Sequence, residues 1–120
     1  MDARKAQSAF AALAQSTRLK AFRKLVAAHP DGLPAGEIAA FCKVPHNTMS
    51  THLDALMRGG LITVARQGRS MNYRADLDGF RGLVEFMLRD CCCGRAEICA
   101  PVLDQFNVAC APVGKEKASA

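Results

Sequence analysis

Apolar residues recur at helical spacing in five stretches of the chain, and one of these stretches also has a polar face. Met49, Leu53 and Leu56 fall at positions i, i+4 and i+7, which predicts one buried face of a helix. Pro45 suits the first turn of this helix, and Gly59-Gly60 suits its C-terminus. The pattern therefore predicts one apolar side and one hydrogen-bonding side. The hydrogen-bonding side contains Asn47, Thr48, Ser50, Thr51 and Asp54.

A β-hairpin is predicted directly after this helix. The run from Leu61 to Arg66 is rich in β-branched residues, Gln67 to Ser70 has the composition of a turn, and Met71 to Arg74 forms a returning strand. Arg66 and Arg69 then lie near the tip. A polar-faced helix followed by a basic hairpin indicates a winged helix-turn-helix, in which the helix enters the DNA major groove and the hairpin lies along the backbone.

Two short helices are predicted before the polar-faced helix. The first begins with Ser16 as its N-cap and ends before the turn His29-Pro30-Asp31-Gly32. The second runs from Pro34 to Phe41 and forms the helix-turn-helix with the polar-faced helix. Their inward residues are predicted to be Leu19, Phe22, Leu25, Val26, Ile38 and Phe41.

The outermost helices are predicted to pack and to dimerise. Asp2 to Gln15 places Phe10 and Leu13 on an alanine-rich face, which permits close approach of a neighbouring helix. Asp76 to about Asp90 has a broad apolar face that is larger than a small domain needs. A dimer interface and an isolated core helix both produce such a face. Its apolar residues are Leu77, Phe80, Leu83, Val84, Met87 and Leu88.

Composition bounds the protein to one mainly α domain. The chain has 120 residues and a net charge of +5, which fits a polyanionic partner. No apolar run is long enough to span a bilayer and no signal peptide is evident, so we expect a cytoplasmic protein without membrane contact. We expect the domain to cover residues 1–113, and the charged, small-residue segment 114–120 to be disordered. In the cytosol, the six cysteines are expected to be reduced thiols.

Four of these thiols lie in the stretch Cys91-Cys92-Cys93-Gly94-Arg95-Ala96-Glu97-Ile98-Cys99. Gly94 can end a helix and let Cys99 approach Cys92 and Cys93, so that a pocket of three sulfurs is within reach. Soft thiolates without a nearby histidine fit zinc poorly and fit As(III), or Sb(III) behind it, well. A redox-sensitive or incidental cysteine-rich segment remains the alternative.

Residues 9–74 resemble the ArsR/SmtB family of metal-sensing repressors. The matching segments are Leu13-Ala14-Gln15-Ser16-Thr17-Arg18-Leu19, Ser50-Thr51-His52-Leu53-Asp54-Ala55-Leu56, Gly60-Leu61-Ile62, Arg66-Gln67-Gly68-Arg69 and Tyr73-Arg74. The resemblance implies a homodimer, of about five helices and a small hairpin, that binds palindromic double-stranded operator DNA and releases it when the metal binds. It implies DNA contacts from His46, Asn47, Thr48, Ser50, Thr51, His52, Arg66 and Arg69.

Members of this family differ in where the inducer binds. Residues 37–41 contain no thiol and residues 76–90 contain no histidine, so two familiar sites of the family are not matched. A third subgroup, with a Cys-Cys pair and another cysteine six residues on, resembles Cys92, Cys93 and Cys99. The resemblance implies that these three bind As(III), while Cys91 is either an alternate ligand or lies on the wrong side of the helix end. Cys42 is expected to be a small buried side chain and Cys110 an exposed bystander.

The interpretation is an arsenite-responsive repressor with no organic cofactor. A thiol-redox or sulfide-responsive repressor of the same fold is the alternative. A cysteine-based enzyme is not favoured, because the chain has no phosphate-cradling loop, no Cys-x-x-Cys at a helix start and no histidine near the cysteine cluster Cys91–Cys99.

Overall fold

A computed structural model describes residues 2–91 of the chain. Five helices and three strands follow one another in this range: α1 Ala3–Leu13, α2 Ser16–Ala27, β1 Leu33–Pro34, α3 Ala35–Cys42, α4 His46–Arg58, β2 Ile62–Gln67, β3 Ser70–Ala75 and α5 Leu77–Cys91. The prediction of five helices and a hairpin is thereby confirmed. The chain divides into two compact units after Val84, within α5, and the fold below is that of the first unit. Cys92, Cys93, Cys99, Cys110 and the segment 114–120 lie outside the described residues, so the predicted boundary at residue 113 stays a prediction.

The sheet has the strand order β1-β3-β2 and is antiparallel throughout. The hairpin pairs Ile62 with Ala75 at its base and Gln67 with Ser70 at its tip, and Gly68 has a φ of 62° in the turn. A side chain rarely adopts this left-handed conformation, so glycine suits the position. The predicted hairpin is confirmed, although strand β1, which pairs Leu33 with Tyr73, was not predicted.

Apolar side chains from α2, α3, α4 and the start of β2 fill the core of this unit. The predicted apolar face of α4 is confirmed, because Met49, Leu53 and Leu56 are each fully buried. The other fully buried large side chains are Leu25, Ile38 and Leu61. The position of this core leaves the opposite face of α4 in solvent.

The predicted alanine-rich packing face of α1 is buried, but Phe10, which was predicted to share that face, is exposed. The buried residues of α1 are Ala6, Ala9 and Ala12, whereas Phe10 remains 44% exposed. The alanines are buried because α1 approaches the end of α4 very closely: a Cβ on Gly59 would lie 3.1 Å from the Cβ of Ala12. Only small side chains fit such a contact, which turns Phe10 outward.

The predictions for α2 and α3 also needed correction. Gln15, not Ser16, caps α2, because its Oε1 accepts a hydrogen bond of 2.9 Å from the backbone N–H of Arg18. Leu19 and Val26 of α2 are exposed although Phe22 and Leu25 are buried. Phe41, predicted to face inward, is 41% exposed, since the two-helix contact is already filled by Ile38 and Ala39.

Two close contacts hold the hairpin and the start of α5 against the helices. Asn72 is buried in β3, and its Nδ2 donates a hydrogen bond of 2.7 Å to the carbonyl oxygen of Asp31 in the turn after α2. At the base of the hairpin, Gly79 of α5 touches the Gly60 carbonyl oxygen so closely that a Cβ would overlap it. Asp76, predicted as the first residue of this helix, instead precedes it and accepts a hydrogen bond from the Gly79 N–H.

Candidate nucleic-acid interface

One side of α4 is a continuous exposed polar stripe. Asn47, Thr51, Asp54 and Arg58 are all exposed and recur at intervals of three and four residues, directly opposite the buried apolar face. Thr48 is exposed beside this stripe. The polar groups point into solvent because three fully buried side chains on the opposite face fix the rotation of α4 about its axis.

The predicted contact residues of α4 fall into two groups. His46, Asn47, Thr48 and Thr51 are exposed, whereas Ser50 and His52 are half-buried on the flanks of the helix. The Ser50 hydroxyl donates to the carbonyl oxygen of His46 at 3.2 Å, and the Thr51 hydroxyl donates to that of Asn47 at 3.4 Å. These two hydroxyls keep their lone pairs available as acceptors, while Asn47 and Thr48 carry the most accessible polar side chains.

The N-terminus of α4 is open to solvent. Pro45 stands at the N-cap and makes no side-chain capping hydrogen bond, so the usual acceptor for the first backbone N–H groups is absent at that residue. Asn47 partly compensates, since its Oδ1 accepts from the N–H of Thr48 at 2.9 Å. The exposed positive end of a helix dipole is a favourable place for a phosphate group.

The hairpin places two arginines at its end. Arg66 lies on β2 opposite Met71, Arg69 lies in the turn, and both are exposed. In the part of the chain that the structure describes, the one salt bridge joins Arg81 to Asp78, so neither hairpin arginine is neutralised by a carboxylate there. The segment from residue 45 to residue 74 carries four arginines and one aspartate. This face is therefore positively charged and hydrogen-bonding.

The described residues contain no group of three side chains suited to hold a metal ion. Cys42, the one cysteine whose side chain is described, is a free, half-buried thiol at the end of α3. Burial raises the pKa of the Cys42 thiol, and the nearby Lys20 ammonium opposes this only in part. Cys42, predicted to be buried, is thus only half-buried, and its raised pKa favours the protonated thiol.

Known proteins share the order of helices and strands described above. A family model described as a helix-turn-helix domain matches residues 13–65, from the end of α1 into β2. An ArsR-like transcriptional regulator from Rhodococcus sp. RHA1 superimposes with a TM-score of 0.61 at 23% identity, covering 92% of this chain and 93% of that one. No curated protein sequence shows significant similarity to the chain.

Two further structures show the same architecture. One, from Mycobacterium bovis, is a homodimeric winged helix-turn-helix DNA-binding domain of a possible ArsR-family regulator, with a TM-score of 0.60, 26% identity, and coverage of 71% of this chain and 77% of that one. The other, HlyU from Vibrio cholerae, has a TM-score of 0.57 at 21% identity, with 72% and 95% covered. The fold is a winged helix-turn-helix. Helices α3 and α4 form its helix-turn-helix, and β2 and β3 form the wing.

The structure adds to the exposed stripe of α4 one residue that the sequence pattern did not single out. Arg58 is exposed in the last turn of α4, on the same stripe as Asn47 and Thr51. Its spacing from Thr51, seven residues, was a usable signal for this placement.

No helix among residues 2–91 is both long and apolar enough to cross a membrane.

Proposed function

We propose that the protein is a transcriptional repressor of the ArsR type that binds operator DNA as a homodimer and releases it when As(III) binds Cys92, Cys93 and Cys99. The observation that carries the DNA half of this proposal is the exposed polar stripe of α4 beside the two exposed arginines of the wing. Asn47, Thr48 and Thr51 read base edges in the major groove, and Arg66 and Arg69 contact the phosphate backbone. His46 and Ser50 lie at the start of the same helix, and His52 packs or contacts phosphate at its flank.

A homodimer is the form that reads a palindromic operator. The Mycobacterium bovis domain, 26% identical to this chain, is homodimeric. Phe10 on α1 and Phe80 on α5 are exposed to 44% and 38%, which leaves apolar surface on the two helices that we assign to the interface. Two half-sites on B-DNA lie about 34 to 36 Å apart, so both α4 helices must be held at a fixed separation.

The arsenic half of the proposal rests on the chemistry of the cysteines. The described residues hold no three-ligand group, so the proposed sensor site draws on the cysteines that follow. Cys92, Cys93 and Cys99 supply three soft thiolates with no histidine nearby, a set that suits As(III), and Sb(III) behind it, better than zinc. Cys91 ends α5 and is an alternate ligand or a bystander.

As(III) binding and DNA binding are coupled through a difference in affinity. As(III) need not touch DNA; it must bind one conformation of the dimer more tightly than the other. The cysteine segment directly follows α5, one of the helices assigned to the dimer interface. Closing three thiolates around one ion therefore acts on the interface that sets the separation of the two α4 helices. The protein performs this task as a binding switch, with no enzymatic step and no organic cofactor.

The test begins with an operator selected from a random duplex library. Fluorescence anisotropy then follows the reduced protein bound to this operator during an As(III) titration, and ultraviolet absorbance follows arsenic–thiolate bonds in the same samples. We expect DNA release and absorbance to rise together and to saturate at one As(III) per protomer. Stable DNA binding at saturating As(III) would contradict the proposal, and so would the absence of any selected operator.

A thiol-redox repressor of the same fold is the second candidate. It is favoured by the description of one solved structure that this chain resembles, reduced HlyU from Vibrio cholerae, which names a redox state for a protein of this fold. In this alternative the same cysteines form a disulfide, and peroxide in buffer free of arsenic releases the operator. We expect no release by peroxide at concentrations that leave As(III) binding intact.

A further inference from the structure

A basic cleft lies between α2 and α3, and its lining contains neither the residues of the α4 stripe nor those of the wing. Its walls include Leu19, Lys20, Arg23 and Lys24 of α2 and Phe41 of α3, which define the α2–α3 cleft. Its volume is about 540 Å³, within the range of about 300 to 1,000 Å³ that ligand sites occupy. The cleft is an open groove with room for a small molecule.

The floor of the cleft is apolar and exposed. Leu19 and Phe41 are 44% and 41% exposed, although their spacing in the sequence predicts core positions. Ala27 continues the same wall of α2. Two large apolar side chains that face the same groove form a surface that gains free energy when an apolar body covers it.

The rim of the cleft is positively charged and lacks carboxylates. The ammonium groups of Lys20 and Lys24 lie 5.1 Å and 4.5 Å from the centre of the Phe41 ring, close enough for cation–π attraction. No carboxylate lies within 4.0 Å of Lys20, Arg23 or Lys24 in the part of the chain described here, and none lines the cleft. The nearest acidic residue along α3, Glu37, lies one helical turn before Phe41 and outside the lining. The ring thus holds two cations in position without neutralising them.

We propose that the α2–α3 cleft binds a small organic anion whose body is aromatic or otherwise apolar. The apolar body covers Leu19 and Phe41, and the anionic group accepts charge-assisted hydrogen bonds from Lys20, Lys24 and Arg23. A DNA phosphate would satisfy the cations alone, but it offers nothing to the apolar floor. This proposal does not depend on DNA binding or on arsenic, because it draws on residues outside both sites.

Anilinonaphthalene sulfonate is a suitable probe, because it combines a fused aromatic body with one sulfonate and becomes fluorescent on apolar surfaces. The uncharged N-phenyl naphthylamine has the same aromatic body and serves as the matched probe without charge. Both are titrated into the full chain, and NMR of labelled protein locates the bound sulfonate. We expect saturable binding, with amide signals of residues 16–27 and 35–42 changing most.

The variant Lys20→Gln/Lys24→Gln removes both charges and retains a polar side chain at each position. We expect it to weaken binding of the sulfonate by about 4- to 25-fold, since each exposed charge contact contributes about 2- to 5-fold. Binding of the uncharged probe should change less than about twofold. The control Arg4→Gln/Lys5→Gln removes the same charge from exposed positions on α1 and should leave both affinities unchanged. Phe41→Leu should weaken both probes.

Three results would overturn the proposal. The first is an equal effect of the α1 control and the α2 variant on the sulfonate, which would indicate only net charge. The second is NMR changes confined to Phe10, Phe80 and their neighbours, which would place the probe on another apolar surface. The third is a loss of affinity for random duplex DNA in Lys20→Gln/Lys24→Gln as large as that in Arg66→Gln/Arg69→Gln, which would assign the cleft to phosphate contacts.

Discussion

The Asn72 side chain joins the wing to a turn 41 residues earlier in the chain, because its Nδ2 donates a hydrogen bond of 2.7 Å to the Asp31 carbonyl oxygen. Asn72 is 6% exposed, the only polar or charged residue buried among those described. The bond crosses from β3 to the connection between α2 and β1, next to Gly32. Gly32 has a φ of 79°, which side chains rarely adopt, and a Cβ there would overlap the carbonyl oxygen of Tyr73. The bond thereby ties the middle of β3 to the turn that follows α2.

Asn72→Ala should lower the free energy of unfolding by about 1 to 2 kcal/mol, because a buried hydrogen bond is lost and a small void remains. Urea denaturation followed by circular dichroism measures this change. The matched control is Asn47→Ala on the exposed stripe of α4, which should alter stability by less than about 0.5 kcal/mol and instead weaken operator binding. Equal stability of the two variants would show that the contact to Asp31 contributes nothing.

Two glycines in helices should respond oppositely to alanine. At Gly79 a Cβ would overlap the carbonyl oxygen of Gly60, so Gly79→Ala should destabilise the protein by about 1 to 3 kcal/mol. At Gly36 a Cβ would meet nothing within 4 Å, and Gly36→Ala should stabilise α3 by about 0.5 to 1 kcal/mol. Thermal or urea denaturation of both variants tests this pair. A neutral effect at Gly79 would mean that α5 does not approach the end of α4 so closely.

The helices and their order followed from the sequence because the core pattern is strong. Met49, Leu53 and Leu56 share one face of α4 whatever surrounds them, and all three are buried as predicted. The turn at Gly68 was likewise encoded locally, by a residue that tolerates positive φ. Burial of one face of α4 leaves the opposite face in solvent, which is why the amino-acid pattern alone could assign Asn47, Thr48 and Thr51 to that face.

Features that depend on neighbouring elements could not be predicted in this way. Phe41 has the spacing of a core residue, yet the α2–α3 contact is filled without it and it stays exposed, and the close α1–α4 contact at Gly59 buries alanines rather than Phe10. Strand β1 has two residues and exists only because β3 lies beside it. The arrangement of the cysteine segment lies outside the described residues, so its ligand set still rests on composition and resemblance.

The wing arginines should set the salt dependence of DNA binding. Each phosphate contact contributes about 0.9 to the slope of log affinity against log salt concentration, so Arg66→Gln/Arg69→Gln should reduce this slope by about 2 per protomer. Affinity for selected and random duplexes should fall by similar factors, since phosphates carry no sequence information. Arg81→Gln on α5 removes an exposed arginine that is already paired with Asp78 and is the control. An unchanged slope in the double variant would exclude backbone contact by the wing.

Phe10 should belong to the dimer interface. Because its ring is 44% exposed on α1, Phe10→Glu should leave the protomer folded while raising the dissociation constant of the dimer by about 10- to 100-fold. Sedimentation equilibrium measures this constant. Met71→Glu on the wing, where the side chain is 43% exposed, carries the same change in charge and should leave the dimer intact. A dimer that tolerates Phe10→Glu but not Met71→Glu would place the interface elsewhere.

The most direct test of the central proposal is an As(III) titration of the protein–operator complex with single cysteines replaced by serine. Cys92→Ser, Cys93→Ser and Cys99→Ser should each raise the As(III) concentration at half-release by about tenfold or more, because loss of one of three thiolates removes a full metal–sulfur bond. Cys42→Ser and Cys110→Ser are the matched controls and should release DNA as the unmodified protein does. Cys91→Ser decides whether the fourth thiol takes part. If all three ligand variants released DNA at the same As(III) concentration as the unmodified protein, the proposed sensor would be contradicted.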